Sequence, residues 1–361
     1  MKIFIKYPNE INHIVLENEV GMRIELSAFG ASIYNIELLN DNEYVSVVLT
    51  PSDLKNFYTN TSYHGKSIGR FSGRIDKACC NINNQKYNLD INWNEINSLH
   101  GGFKGLSSRV CDYKISEGID YTDVIFTHID SDFMLPGVLS YEIIYRISNN
   151  ENDITVFLNA ATTEDTLVNL TNHTYFNLSG NCKNTILDHN LYLACSKYTK
   201  LNNELITTNI LPVDHIMDFR DNHKIGKYIL DETLQNHTAR GYDHCFIKEN
   251  EEDDLLAILT DNESGISLSI SSSYPSVVVY SGNYPDDFPF NKERIKNIKF
   301  HAICLEAQFV PNGINMSDVN PAILRKDEKY SHYIKYSFKK RGLRNSRGKL
   351  RKLWGTKLGD N

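Results

Sequence analysis

Apolar residues alternate with polar ones along much of the chain. Tyr141, Ile143, Tyr145 and Ile147 fall on every second position, and so do Ile154, Val156, Leu158 and Ala160. Each set shares one face of a strand, and the polar run 149–153 between them predicts a hairpin turn. A second hairpin is expected over 79–91, turning at Asn83-Asn84. Further strands are expected over 22–26, 45–49, 121–128, 191–195, 255–259, 266–270, 277–280, 302–306 and 332–338. Helical periodicity is sparse. Pro51-Ser52-Asp53-Leu54 is placed to open one short helix, with Pro51 in its first turn. Many strands separated by Asn, Gly and Asp turns predict a mainly β protein, a large antiparallel β-sandwich with few short helices.

The chain has 361 residues, 41% of them hydrophobic, which is ample for a large core. There is no internal repeat and no Pro- or Ser-rich linker, so a single catalytic domain over 1–338 is the simplest organisation. The formal net charge is −7. Nine Lys/Arg and one Asp lie in 339–361, net +8, which leaves −15 for the rest. That acidic body argues against a nucleic-acid partner, and the basic tail reads as a flexible extension. The seven cysteines include no Cys-x-x-Cys pair, which disfavours zinc ribbons and redox dithiols. The first residues are too charged for a signal peptide, and no apolar run approaches a membrane span. A cytoplasmic protein with reduced thiols is expected. Oligomeric state, monomer or homodimer, is left open.

Five polar constellations carry the candidate chemistry. In Cys304-Leu305-Glu306-Ala307-Gln308, alternation puts Cys304, Glu306 and Gln308 on one strand face. Glu306 there could act as a general base, or simply sit on an exposed face. His173 lies in Thr171-Asn172-His173-Thr174-Tyr175-Phe176-Asn177 and suits reversible proton transfer, unless it is a satisfied core histidine. Asn172 could fix its tautomer or meet a ligand. His100 precedes Gly101-Gly102, where the backbone can turn sharply, and Asp243 follows Gly241-Tyr242; either could belong to a plain turn. Gly69-Arg70-Phe71-Ser72-Gly73-Arg74-Ile75 offers two guanidinium groups able to bind vicinal hydroxyls or orient a carboxylate. Gly65-Lys66-Ser67 ends like a phosphate loop, but Asn60 stands where the first glycine should be. The 12 histidines show no helical His-x-x-x-His spacing, so no metal is expected.

Taken together, these residues resemble the aldose 1-epimerase (galactose mutarotase) family. The landmarks run in order: Gly69 to Ile75, Asn97-Ser98-Leu99-His100-Gly101-Gly102, Asn169 to Leu178, 211–220, Gly241-Tyr242-Asp243-His244, 274–283 and Cys304 to Gln308. The resemblance implies an antiparallel β-sandwich, a small-molecule sugar substrate and no cofactor. It implies Glu306 as general base and His173 as general acid. It also implies Arg74, rather than Arg70, together with His100 and Asp243, as residues that hold the sugar, with Asn172 and Gln308 as further polar contacts. Three positions depart from the pattern: Gly73 where many members have Asn, Val278 where some have Gln, and Cys245 where Asn is frequent. They bear on substrate preference.

The implied reaction interconverts the α and β anomers of a free hexose such as galactose or glucose. Glu306 takes the anomeric hydroxyl proton, His173 protonates the ring oxygen, the open aldehyde rotates about C1–C2, and reclosure reverses the transfers. On this reading Glu306 is only partly buried, activity falls at low pH as Glu306 is protonated, and it falls at high pH as His173 loses its proton. The rivals are a related enzyme for a disaccharide such as maltose or for a phosphosugar, a sugar-binding protein without catalysis, and a metal-dependent hydrolase.

Overall fold

The computed structural model describes residues 1–7, 10–131 and 134–340. The hairpin expected around 149–153 forms between Leu139–Ser148 and Asp153–Thr162, with Tyr145 opposite Val156. Its inward set, Tyr141 to Ile147 and Ile154 to Ala160, is buried. The second hairpin pairs Cys79–Ile82 with Gln85–Asn88. Asn83 and Asn84 sit at φ 52° and 64°, left-handed values that asparagine tolerates and that match the strand twist.

The described strands build three main antiparallel sheets. Five N-terminal strands pair in chain order from Lys2–Lys6 to Glu43–Ser46. A nine-stranded sheet begins at Asp112–Glu117 and has Lys329–Lys340 as its fifth strand. A six-stranded sheet runs from Tyr175–Phe176 through Ile303–Gln308, Ser276–Tyr280 and Asp243–Lys248 to Cys195–Leu201 and Thr207–Pro212. Apolar side chains of all three sheets share one core, as where Phe176 meets Tyr336 with ring centroids 5.3 Å apart. This is the antiparallel β-sandwich that the alternation predicts.

Local expectations needed correction in four places. The run 191–195 is two strands, Asn190–Leu193 and Cys195–Leu201, and the chain passes from the nine-stranded to the six-stranded sheet at Ala194. The strand expected over 45–49 ends at Ser46, and Val48 makes only an isolated bridge to Phe176. The short helix is Leu54–Thr59, capped by Asp53, whose carboxylate accepts the Asn56 N–H at 2.8 Å; Pro51 lies before the cap rather than in the first turn. Lys339 and Lys340 are not tail but strand, paired with Ser267 and Ile266. The basic extension beyond Lys340 lies outside the described residues. Among the described residues, no helix is long and apolar enough to cross a membrane.

Candidate active site

The strand Ile303–Gln308 lays out the site. Alternation sends Ile303, Leu305 and Ala307 into the core and turns Cys304, Glu306 and Gln308 to the other face. Register extends that second face sideways. Glu306 lies opposite Val278, which lies opposite Cys245; Cys304 lies opposite Tyr280, which lies opposite Asp243. Loops from distant parts of the chain cover this face, so that Glu306 is only 2% exposed and Gln308 0%. The partial burial expected of Glu306 is therefore wrong.

His173 comes in from a different direction. Its backbone N–H donates to Lys66 O at 2.9 Å, and its carbonyl accepts from Gly65 N at 2.8 Å. The preceding Thr171 donates its hydroxyl to Ala307 O at 2.8 Å, tying this segment to the Glu306 strand. The ring stacks on Tyr175 with centroids 5.1 Å apart. Its Nε2 lies 3.4 Å from Glu306 Oε1 and its Nδ1 lies 3.4 Å from Cys304 Sγ.

Arg74 and His100 are brought in by one short pairing, Leu99 opposite Arg74. His100 N donates to Gly73 O at 3.1 Å, and Gly73 N donates to His100 Nδ1 at 3.2 Å. Gly101, at φ +80°, lets this turn close: a Cβ there would lie 2.1 Å from Gly69 O. Arg74 Nη2 donates to Asp243 Oδ2 at 3.0 Å, and its guanidinium lies 4.7 Å over the Trp93 ring.

These side chains line one cavity of about 320 Å³, together with Gln308, Tyr63, Trp93, Tyr280 and Asp286. Arg74 Nε, Glu306 Oε2 and both amide atoms of Gln308 are buried without a protein partner. A ligand rich in hydroxyls is the natural complement to such a set. A larger groove, about 450 Å³, crosses the N-terminal sheet. Most of its charges are paired with one another, as in Lys6–Glu25, Arg23–Glu17 and Lys292–Glu37.

Burial dominates the protonation states. It drives the His173 imidazole down to about 3, with the His64 and Arg74 charges adding to the effect. It pushes the Glu306 carboxyl well above the usual range; Asp243 raises it further and Arg74 opposes. Burial also raises Asp243, against the pull of Arg74, and lowers His100 well below its ordinary value. Both shifts favour the proton on the Glu306 carboxyl over the His173 imidazole.

His100, His173 and Glu306 offer metal-ligand atoms within 4.8 Å of one another. The set does not fit a cation well. His100 Nδ1 already accepts the Gly73 N–H, which leaves the imidazole hydrogen on Nε2, the nitrogen that would have to coordinate.

Six of the seven candidate residues line this cavity: Glu306, His173, Arg74, His100, Asp243 and Gln308. Asn172 does not. It is 1% exposed and donates to Gly65 O and to the Tyr145 hydroxyl, both at 3.1 Å, while accepting from Thr174 Oγ1 at 2.5 Å. Arg70 is also committed elsewhere, to Asp130 at 2.8 Å and to the carbonyls of Pro136 and Gly137 at 2.9 Å each. Trp93, Tyr63, Tyr175 and Asp286 were missed. Nothing in their local pattern separates them from core or loop residues.

Comparison with known proteins places the chain in a family and a fold. Residues 12–337 match the family described as Aldose 1-epimerase. The chain is 30% identical over 322 residues to the galactose mutarotase of Rattus norvegicus, covering 88% of this chain and 91% of that one. It is 29% identical over 332 residues to the aldose 1-epimerase of Haemophilus influenzae, covering 90% and 95%. The galactose 1-epimerase structure from Lactobacillus acidophilus NCFM superposes with a TM-score of 0.81 at 26% identity, covering 94% of this chain and 98% of that one. A GalM/aldose epimerase homologue from C. elegans shares the fold, with a TM-score of 0.80 at 23% identity over 91% of this chain and 98% of that one.

Proposed function

Since the chain belongs to the aldose 1-epimerase family of isomerases, we propose that it interconverts the α and β anomers of free hexoses, galactose and glucose, with Glu306 as base and His173 as acid. The observation that carries this reading is the 3.4 Å approach of His173 Nε2 to Glu306 Oε1 in a cavity whose other buried polar atoms lack partners.

The chemistry follows from the single proton the pair holds. Passing it from the carboxyl to Nε2 gives a carboxylate beside an imidazolium. The carboxylate takes the proton of the anomeric hydroxyl as the imidazolium gives its own to the ring oxygen. The ring C–O bond breaks, C1 becomes an aldehyde, and rotation about C1–C2 presents its other face. Reclosure returns both protons. Each such proton transfer contributes about 10²–10⁴-fold. Both groups are held by strands and backbone hydrogen bonds, so little reorganisation is needed.

Arg74, His100, Asp243 and Gln308 hold the sugar. His100 presents its Nε2–H as a donor, because Gly73 N–H occupies Nδ1. With the proton on Glu306, the charges lining the cavity are Arg74 against Asp243 and Asp286. An acidic balance of this kind favours a neutral sugar over a phosphosugar. Burial of Glu306 beside His173 also favours catalysis over mere sugar binding, since a pure binding site gains nothing from a carboxyl it must keep protonated.

We take the described chain as one catalytic unit, because Lys329–Lys340 is an inner strand of the nine-stranded sheet. All seven cysteines are free thiols, which supports a reducing, cytoplasmic setting. Polarimetry tests the substrate. Freshly dissolved α-D-galactose and α-D-glucose should reach equilibrium rotation faster with enzyme, and glucose 6-phosphate should not. Acceleration confined to maltose or to the phosphosugar would replace this assignment.

A further inference from the structure

The strand Ile303–Gln308 presents two side chains to the His173 ring. Cys304 and Glu306 are two residues apart, so both project from the same face, about 7 Å along the strand. The imidazole fits between them: Nδ1 faces Cys304 Sγ at 3.4 Å and Nε2 faces Glu306 Oε1 at 3.4 Å. Cys304 is fully buried, and Tyr175 stacks on the imidazole from the neighbouring strand position. A ring bracketed in this way has a partner at each nitrogen, and the proton state of the carboxyl decides whether the thiol meets Nδ1 as acceptor or as donor.

We propose that Cys304 is a positioning residue for His173: its sulfur accepts the Nδ1–H throughout the reaction cycle, so that Nε2 is the nitrogen that exchanges the proton. The inference rests on the acid role of His173 given above. With the proton favoured on Glu306, Nε2 offers it a lone pair across the 3.4 Å contact, and the ring hydrogen is then on Nδ1. When the proton passes to Nε2, Nδ1 keeps its hydrogen. After Nε2 gives its proton to the ring oxygen, the ring returns to the Nδ1–H form. The sulfur keeps its own hydrogen, no atom of Cys304 is transferred, and the proton count closes.

The choice of sulfur matters as well as its place. A carboxylate or carbonyl at Nδ1 would stabilise the imidazolium, as in metal and triad histidines. A neutral thiol is a weak acceptor. It orients the ring while leaving the imidazolium acidic enough to protonate an ether-like ring oxygen. Burial supports this by holding the Cys304 thiol well above its usual range, so it stays uncharged beside the acid.

The test compares Cys304→Ala with Cys304→Ser in polarimetric turnover of α-D-galactose, alongside ¹⁵N-histidine NMR of the wild type. The groups that face His173 are Glu306, Cys304, His100, Tyr63 and Tyr175, with Arg74 and His64 acting from further away. All but Cys304 are unchanged in both variants. Cys304→Ala should lower kcat about tenfold with KM within about twofold, a loss of the size that a misoriented catalytic group produces. Cys304→Ser should keep a third or more of the wild-type kcat and shift the acid limb of the kcat profile to higher pH, since a hydroxyl is the better acceptor. The wild-type His173 signal, identified by its loss in His173→Gln, should be that of the Nδ1–H tautomer. Equal kcat in Cys304→Ala and wild type, or an Nε2–H tautomer in the wild type, overturns the inference. A wild type that accelerates neither galactose nor glucose would defeat the underlying acid–base reading instead, so the two failures are distinguishable.

Discussion

His173 Nε2 and Glu306 Oε1 lie 3.4 Å apart, closer than two groups that a sugar ring would separate. They stand side by side in the lining of one cavity rather than on opposite walls. A base for the exocyclic anomeric hydroxyl and an acid for the ring oxygen need this closeness, because both oxygens are bonded to the same carbon. The contact also makes the two groups one titrating unit, which alters the expected pH behaviour.

Activity should persist on the acid side well below the ordinary imidazole range and fall on the alkaline side only above the ordinary carboxylate range. The acid limb belongs to His173, which gains a second proton for the pair only near its lowered value of about 3. The alkaline limb belongs to loss of the proton that rests on Glu306, whose carboxyl lies well above its ordinary range. The limbs therefore exchange owners relative to the assignment that reference values suggest. A kcat–pH profile checks this, provided protein stability is followed at each pH. A half-maximal point near pH 6.5 on the acid side would contradict it.

Glu306→Gln should stabilise the fold at alkaline pH. The folded pKa of Glu306 is raised above its unfolded value, so its contribution is fully present below the usual carboxylate range and is lost as pH rises through the folded value. Glutamine has no such proton to lose. The melting temperatures of variant and wild type should coincide near pH 4 and separate at pH 8 to 9 by on the order of 2–4 °C, the variant melting higher. Equal separation at both values would point to packing rather than ionisation.

Gly73→Asn should impair the protein through Pro311. A Cβ at Gly73 would lie 2.5 Å from Pro311 Cβ, and Pro311 itself lines the cavity. Asparagine tolerates the local φ of +76° better than most residues, so the steric conflict adds to a backbone strain that Asn keeps small. The single variant should raise KM about tenfold or more. Gly73→Asn combined with Pro311→Gly should recover much of that loss, a non-additivity that a double-mutant cycle measures. Additive losses would remove Pro311 from the account.

Chelation should leave the rate within about twofold, since the Gly73 N–H holds the His100 hydrogen on Nε2. Turnover after exhaustive EDTA dialysis checks it. Loss of activity that Zn²⁺ restores would mean that the cluster of His100, His173 and Glu306 takes a cation after all.

Much of this site was legible in the chain because period two is a strong local signal. Cys304, Glu306 and Gln308 share a face for the same reason that Ile303, Leu305 and Ala307 share the core. The same rule, applied one step further, would have removed Asn172. It adjoins His173 on extended chain, so the two side chains point opposite ways, and Asn172 turns to Tyr145 and Gly65 instead. The burial of Glu306 could not be read locally, because Tyr63, Trp93 and Arg74, which line the same cavity, come from far along the chain. Trp93, between Asn92 and Asn94, shows no periodicity, and its place under Arg74 exists only in the folded state. The break at Ala194 was hidden for a related reason: an apolar run looks the same whether it stays in one sheet or crosses to another.

The most direct measurement is the rate of optical-rotation change of α-D-galactose with wild type, Glu306→Gln and His173→Gln, paired with calorimetric binding of the equilibrated sugar. The wild type should accelerate anomer exchange, and each variant should lose about 10²-fold or more of that acceleration while binding galactose within a few-fold of wild type. A Glu306→Gln protein that turns over at the wild-type rate would contradict the account, because the proton held between Glu306 and His173 would then have no part in opening the ring.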